Sequence, residues 1–502
     1  MKLWSEVTVA LAVLAIAALA VPATDGGLAA AAPKKGAKAG KKEGGKSKRE
    51  LRRANRRQKK PNVIVVMTDD QDRSMLGLHR TQSLIGSRGT TFTRAYVSFP
   101  LCCPSRATLI TGQYAHNHGV VSTQLPNGYN GLDHRNTLPV WLRSAGYRTG
   151  MVGKYLNGYG IDDGVPERRS DAKQRPPGWS DWAALTDGTD QRRYSYKLNE
   201  NGKIRKYKRG KKNYVTDVLA RKAVKFIDRR APRPKPFFLW FNPTAPHGEA
   251  NRPTISNRNP TPAPRHIGAF EGAKRPRTPN FNEADVSDKP GFVQAIPPLS
   301  GAAISDLDLR YRARAESLLS VDQAVKRIWK RVRKAGDKRK TYVNFTSDNG
   351  MLMGAHRLIL KNYLYEEDLR VPLLIRGPRF PRGVVRDQPV NNVDLAPTIL
   401  ELTKVSPGRT VDGRSLLPVA RRGGSLNREI LFERYGEAGI RSGNWVYIDR
   451  RGQDELYDLG TDPFQLENLL VVAPVDADEI ARAASLSARL DQLRDCRGRA
   501  CP

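Results

Sequence analysis

Cysteine is scarce. Four occur in 502 residues, too few for a disulfide scaffold, so a packed core must hold the chain. Acidic residues are also short: 50 Asp and Glu face 86 Lys and Arg, a formal charge of +36. That excess says little about fold, but it favours an anionic partner: nucleic acid, membrane surface or acidic polymer. Long hydrophobic runs are limited to one, residues 7–21, VTVALAVLAIAALAV. As a helix it would span roughly 22 Å, short of a hydrocarbon core of about 30 Å. No internal repeat is evident.

Lys2 precedes the apolar run and small residues follow it. Residues 1–32 therefore read as a secretory signal peptide, with an uncleaved anchor as the alternative. Export implies an oxidising compartment, a secreted or cell-surface protein, and no transmembrane span after cleavage. Cys496 and Cys501, in CRGRAC, are placed to close a small disulfide loop. Residues 33–60 read as a basic disordered linker. Positions 34–60 hold 14 basic and 2 acidic residues, cannot bury enough surface to fold, and repel one another. The segment is either a solvated spacer or a tether to an acidic polymer at the cell surface.

From Pro61 apolar strands alternate with helical stretches, the pattern of an α/β domain with a mostly parallel sheet. Four predicted strands end in polar residues: 63–67 at Asp69-Asp70, 148–152 at Gly153-Lys154, 237–241 ahead of His247, and 341–345 at Asp348-Asn349. Ligands of open α/β sheets bind beyond the carboxyl ends of the strands, so four such deliveries describe one site. The catalytic domain is assigned to 61–425. A small α+β subdomain follows over 426–502, with short strands at 428–432 and 444–448 and a polar helix over roughly 476–494.

Asp69 and Asp70 are adjacent carboxylates, costly at one buried edge unless a cation or proton compensates. Asp348 and Asn349 add oxygen donors, a set that suits Ca²⁺ or Mg²⁺ rather than zinc. N-capping is the plainer reading of either pair alone. Cys102 opens the stretch Cys102-Cys103-Pro104-Ser105-Arg106, with Pro104 suited to a first helical turn and Gly112 to its end. At a helix N-terminus it is a thiolate nucleophile or metal-ligand candidate, or one of a buried pair of small apolar residues. Residues 192–212 carry 10 basic residues, one Glu and several tyrosines around Asn201-Gly202, which reads as a hairpin. It is expected near the pocket, attracting an acidic polymer, or else as a solvated hairpin.

Cys102-Cys103-Pro104-Ser105-Arg106 resembles the Cys-x-Pro-Ser-Arg signature of the type I, formylglycine-dependent sulfatases. Ala107-Thr-Leu-Ile-Thr-Gly112, Thr68-Asp69-Asp70-Gln71, Gly153-Lys154, Pro246-His247-Gly248, Ser347-Asp348-Asn349-Gly350 and Glu455-Leu-Tyr-Asp-Leu459 support it, and the likeness runs over about 61–470. The double cysteine and Gly153-Lys-Tyr-Leu-Asn157 are most similar to the N-acetylglucosamine-6-sulfatase branch and its heparan 6-O-endosulfatase relatives. The resemblance implies an alkaline-phosphatase-like (sulfatase) fold: a large, mostly parallel mixed sheet flanked by helices, with a small C-terminal antiparallel sheet plus helix. It implies that a formylglycine-generating enzyme oxidises Cys102 before folding is complete, giving an aldehyde whose hydrate is the nucleophile. It further implies that Asp69, Asp70, Asp348, Asn349 and the modified Cys102 bind one Ca²⁺, with Mg²⁺ the lesser choice. Arg106 would hold the hydrate, Lys154 and Lys361 the sulfate oxygens, and His247 would sit by the leaving-group oxygen.

One departure stands out. Many sulfatases carry Gly-Lys-x-His, and here Leu156 and Asn157 follow Gly153-Lys154-Tyr155. Leu156 receives no role, Asn157 a weak one, and the base for sulfate elimination stays open. His356 is either a supporting residue or a structural histidine. The expected activity is sulfate-ester hydrolysis on an amino sugar or sulfated glycan by an exported enzyme. The alternatives are a phosphodiester or phosphonate monoester hydrolase of the same fold, and a non-catalytic polyanion-binding protein. The export signal disfavours nucleic acid as partner.

Overall fold

Strands buried on both faces carry unbroken apolar runs rather than alternation. Asn62–Thr68 and Phe237–Asn242 are of this kind, buried at every position. The computed structural model describes residues 60–161, 172–230, 235–249, 259–423, 428–472 and 476–502. The proposed signal peptide, and the basic linker except Lys60, lie outside them. Along the chain the strands are β1 (Asn62–Thr68), β2 (Thr90–Phe92), β3 (Ala95–Tyr96), β4 (Arg148–Gly153), β5 (Asp181–Leu185), β6 (Tyr196–Glu200), β7 (Lys203–Tyr207), β8 (Phe237–Asn242), β9 (Thr341–Ser347), β10 (Leu352–Met353), β11 (Ile359–Leu360), β12 (Leu373–Arg376), β13 (Val384–Arg386), β14 (Val390–Asn391), β15 (Ile430–Arg434), β16 (Glu437–Ser442), β17 (Trp445–Asp449) and β18 (Glu455–Asp458).

Ten of them form one sheet in the order β13-β2-β12-β9-β1-β8-β4-β5-β6-β7. Its centre, β9-β1-β8-β4-β5, is parallel. Antiparallel pairs flank that centre on each side. Alternate residues of β1 face opposite cores, as the two-residue period of a strand dictates. Val63, Val65 and Met67 pack with the helices Cys102–Thr111, Leu138–Ser144 and Leu395–Thr403, whereas Ile64 and Val66 pack with Val215–Arg230 and Gly301–Lys334. Helices therefore cover both faces, and the mixed, mostly parallel sheet follows the sequence reading.

The hairpin expected around Asn201-Gly202 is β6-β7, with both turn residues at positive φ (55° and 91°), as a two-residue turn requires. β15 to β18 form an antiparallel meander. One of its faces packs on the helix Ala477–Leu493 and on Cys496 and Cys501, which are disulfide-bonded. The other, through Ile430, Phe432, Val446 and Tyr457, packs on Tyr96, Tyr365 and Leu369 of the main body. Among the described residues no helix is long and apolar enough to cross a membrane.

Candidate active site

The carboxyl ends of β1, β4, β8 and β9 meet at one edge, and each hands its next residues to the same place. β1 delivers Asp69 and Asp70, β9 delivers Asp348 and Asn349, β4 delivers Lys154, and the loop after β8 brings His247. Close backbone approach sets this arrangement. At Gly153 (φ 123°) a Cβ would lie 1.9 Å from the Asn242 carbonyl oxygen, so only glycine lets β4 and β8 run together up to Lys154. Asp70 is held at φ 63°. Lys361 lies between Leu360 (φ 87°) and Asn362 (φ 74°). Such left-handed conformations are costly away from glycine, and these three stand at the site.

The helix Cys102–Thr111 is buried along its whole length and ends on Gly112 at φ 69°. Cys102 stands at its N-terminus, where Sγ lies 3.5 Å from Asp69 Oδ1 and 3.8 Å from Asp70 Oδ1. One turn on, Arg106 is buried completely. Its Nε donates to Asp348 Oδ2 at 2.8 Å, its Nη1 to the Lys154 carbonyl at 2.9 Å, and its Nη2 lies 3.7 Å from Asp69 Oδ2. Lys154 Nζ donates to Asp69 Oδ2 at 2.9 Å. Lys361 Nζ donates to Asp70 Oδ1 and lies 2.6 Å from Cys102 Sγ. Asp348 Oδ1 accepts from the backbone N–H groups of Asp70 (3.0 Å) and Asn349 (2.9 Å). His247 Nδ1 pairs with the Gly248 carbonyl at 2.6 Å, which leaves Nε2 facing Asp70 Oδ2 at 3.5 Å. All nine candidate residues thus lie in one cluster.

Burial raises every carboxyl in this nest, and the cations decide the outcome. Lys154, with His247, Arg106 and Lys361, overrides burial and holds Asp69 well below the usual carboxylate range. At Asp70, too, burial is overridden, and His247 and Lys361 lower the carboxyl. At Asp348 burial outweighs Arg106, and the carboxyl is raised. Burial likewise pushes the Cys102 thiol well up, against the pull of Lys154 and Lys361. The thiolate expected from a helix N-terminus is therefore disfavoured, because the loss of water exceeds what the helix end and the lysines return. Burial lowers His247 to about 4, although Asp70 opposes it.

The donor chemistry fits a hard cation. Ligand atoms of Asp69, Asp70, Cys102 and His247 all lie within 4.8 Å of one another. The Asn349 side chain donates through Nδ2 to Asp70 Oδ1 at 2.9 Å, while its Oδ1 is buried with no hydrogen-bond partner among the described residues. Carboxylate and amide oxygens are the ligands that calcium and magnesium take.

The remaining residues singled out above fall elsewhere. His356 is buried, with Nδ1 2.6 Å from Glu283 Oε2 and its ring 4.5 Å from that of Tyr365, a structural histidine. Leu156 belongs to the apolar core. The Asn157 carbonyl accepts from the Tyr129 N–H. Among the described residues the basic hairpin reaches the site through its root: Arg193 donates to Thr244 Oγ1 and to the His247 carbonyl. Sequence reasoning missed Arg314, which donates to the Asp70 carbonyl at 2.6 Å and lies 3.5 Å from Asp72. It also missed Asp190, raised by burial to about 7 against the pull of Lys154. Neither belongs to a motif, and the helix that carries Arg314 is rich in arginine. The cavity over the cluster is about 270 Å³ and is lined among others by Gln191, His247, Glu249, Arg310, Arg314 and Lys361.

Residues 61–405 match the family described as Sulfatase, and residues 354–495 match the family described as N-sulphoglucosamine sulphohydrolase, C-terminal. The chain is 39% identical over 393 residues to human N-acetylglucosamine-6-sulfatase, covering 76% of this chain and 68% of that protein. A protein solved in complex with its substrate D-glucosamine-2-N,6-O-disulfate shares the fold (TM-score 0.69, 24% identity, 86% of this chain and 97% of that one). The phosphonate monoester hydrolase of Agrobacterium radiobacter shares it as well (TM-score 0.67, 21% identity, 87% and 95%).

Proposed function

The chain belongs to the sulfatase family and is a sulfuric ester hydrolase, and from that premise we propose that it removes 6-O-sulfate from an amino sugar, free or within a sulfated glycan, outside the cytoplasm. The observation that carries this reading is the position of Cys102, at a helix N-terminus within reach of Asp69, Asp70 and Lys361, with Lys154 bonded to that same Asp69. Identity to an N-acetylglucosamine-6-sulfatase supports the sugar.

Cys102 is the residue to be converted to formylglycine, whose hydrate supplies one hydroxyl to attack sulfur and a second that releases sulfate. Asp69, Asp70, Asp348, Asn349 and the converted residue 102 would hold Ca²⁺, which neutralises the charge of a sulfate ester. The chain's own groups do the rest. Lys154 and Lys361 bring ammonium charge to the place where sulfate oxygens gain it in the transition state. Arg106 fixes Asp348, which serves as the proton acceptor for the attacking hydroxyl. His247, with Nδ1 engaged by the Gly248 carbonyl, presents Nε2 to the leaving-group side. Lys361 is the proton source for the departing alcohol.

The phosphonate monoester hydrolase alternative rests on shared fold alone. Mass analysis of the peptide containing Cys102 and a substrate panel test the proposal together. Conversion lowers the mass of residue 102, and turnover should favour N-acetylglucosamine-6-sulfate over its 3-sulfate isomer and over aryl phosphate, with Cys102→Ala inert. Faster turnover of phosphate or phosphonate esters would overturn it.

A further inference from the structure

Far from the active site, two cavities of about 990 and 620 Å³ meet at Lys338. They lie at the opposite end of the sheet. Lys338–Lys340 immediately precedes β9 and Asp348 immediately follows it, so seven strand residues, roughly 23 Å, separate the two places. One wall is a helix face. Lys326, Lys330, Arg333 and Lys334 recur at the spacing of one side of a helix, and Lys338 continues the row. The facing wall carries Arg88, Arg376 and Arg382.

These charges are unusually poorly matched. Lys326, Lys330, Arg333, Lys334, Lys338 and Arg339 are exposed and, among the described residues, none is ion-paired to a carboxylate. The same holds for Arg88 and Arg382. Arg376 is lowered to about 10, by burial first and then by Arg382, Arg88 and Arg333, which marks a field of one sign. The groove offers little for bases or lipid. Of its rings, Trp329 is 5% exposed and lies under the Arg376 guanidinium at 4.2 Å, Phe380 is 4% exposed, and the exposed His79 is a lone imidazole, so no row of open rings is there for successive nucleobases to stack on. None of the exposed large apolar side chains lines the groove, so nothing is placed to enter a bilayer.

We propose that this groove is a second binding site, for a linear anionic polysaccharide, which holds the enzyme on its polymer while the distant active site works. Guanidinium forks and flexible ammonium groups together suit sulfate and carboxylate groups repeated along a chain. The proposal does not depend on which ester the active site cleaves.

Binding of dextran sulfate to the full-length protein is the test, read at about 150 mM salt without turnover. Lys330→Gln/Lys334→Gln/Lys338→Gln should weaken binding by at least about tenfold and shallow the salt dependence by about two to three ions. Arg88→Gln/Arg382→Gln, on the facing wall, should act in the same direction. A hairpin triple, Lys203→Gln/Lys206→Gln/Lys208→Gln, removes equal charge elsewhere and should cost less than about threefold. All three should keep the wild-type melting midpoint. Equal losses from groove and hairpin variants would reduce the effect to net charge and overturn the site. So would an unchanged affinity in both groove variants. Tighter, groove-dependent binding of anionic vesicles or duplex DNA than of dextran sulfate would assign the surface to another partner and overturn the proposal.

Discussion

Arg106 balances the charge of the site. It touches Asp348, Asp69 and the Lys154 carbonyl from full burial, so Arg106→Met leaves carboxylates buried and short of counter-charge. Such a loss costs about 3–5 kcal/mol, and denaturant midpoints should show it alongside lost turnover. Cys102→Ala should abolish turnover with a far smaller stability change, since it removes no charge that the carboxylates need. Chelation should silence the enzyme by exposing the repulsion between Asp69, Asp70 and Asp348. Added Ca²⁺ should restore more activity than Mg²⁺, because a cluster of several oxygens without fixed octahedral geometry suits the larger ion; superior rescue by Mg²⁺ would reverse that assignment. At this scale the sequence was readable wherever chemistry sat in a strand-end motif. Asp69, Lys154 and Asp348 stood out because each followed an apolar run. Asp190 did not, because its environment is made by residues distant in sequence, and Arg314 was one arginine among many on its helix.

Elements place these residues through backbone contacts that side-chain patterns do not record. The approach of β4 to the Asn242 carbonyl leaves no room for a methyl group at Gly153. Gly153→Ala should therefore displace Lys154, lowering both the melting temperature and kcat, with soluble yield as a first readout. The short helix Ala115–His118 is tied to β15 by His116 Nδ1 and Glu433 Oε1 at 2.6 Å. Burial would lower this imidazole, but the Glu433 bond outweighs it and raises the group. A raised folded value stabilises the protein fully below the ordinary histidine value of about 6.5, and that stability fades as pH climbs through the folded value. Melting curves against pH should show this arm, and Glu433→Gln should remove it. The central strands were legible because parallel strands covered on both faces are apolar throughout. The short strands β2, β12 and β13 were not, since three or four residues carry no usable period. Sheet order also stayed hidden, because pairing is decided by packing between segments far apart in the chain.

At the scale of the whole molecule, the C-terminal meander is joined to the main body through Tyr96, Tyr365 and its own inner face, with the chain end pinned behind it. Cys496–Cys501 closes a small loop, Gly498 N–H donates to Asp412 Oδ1 at 2.8 Å, and Arg428 donates to the Pro502 carbonyl at 2.8 Å. A loop this short adds about 2 kcal/mol in the chain-entropy account. Cys496→Ser/Cys501→Ser should lower the unfolding midpoint accordingly and leave kcat on small esters unchanged. The tail cysteines could be paired from the sequence because they stand close together and export implies oxidation. What the tail docks on could not, for nothing in the sequence ties Asp412 or Arg428 to residues 498 and 502.

Cys102 is 2% exposed, walled in by Asp69, Asp70 and Lys361. Any catalyst that oxidises it must reach the nascent polypeptide before these walls close. Under the chemistry proposed above, a molecule that shut around an untouched sulfhydryl would be barren, and the potency of a preparation would be set by a race inside the producing cell.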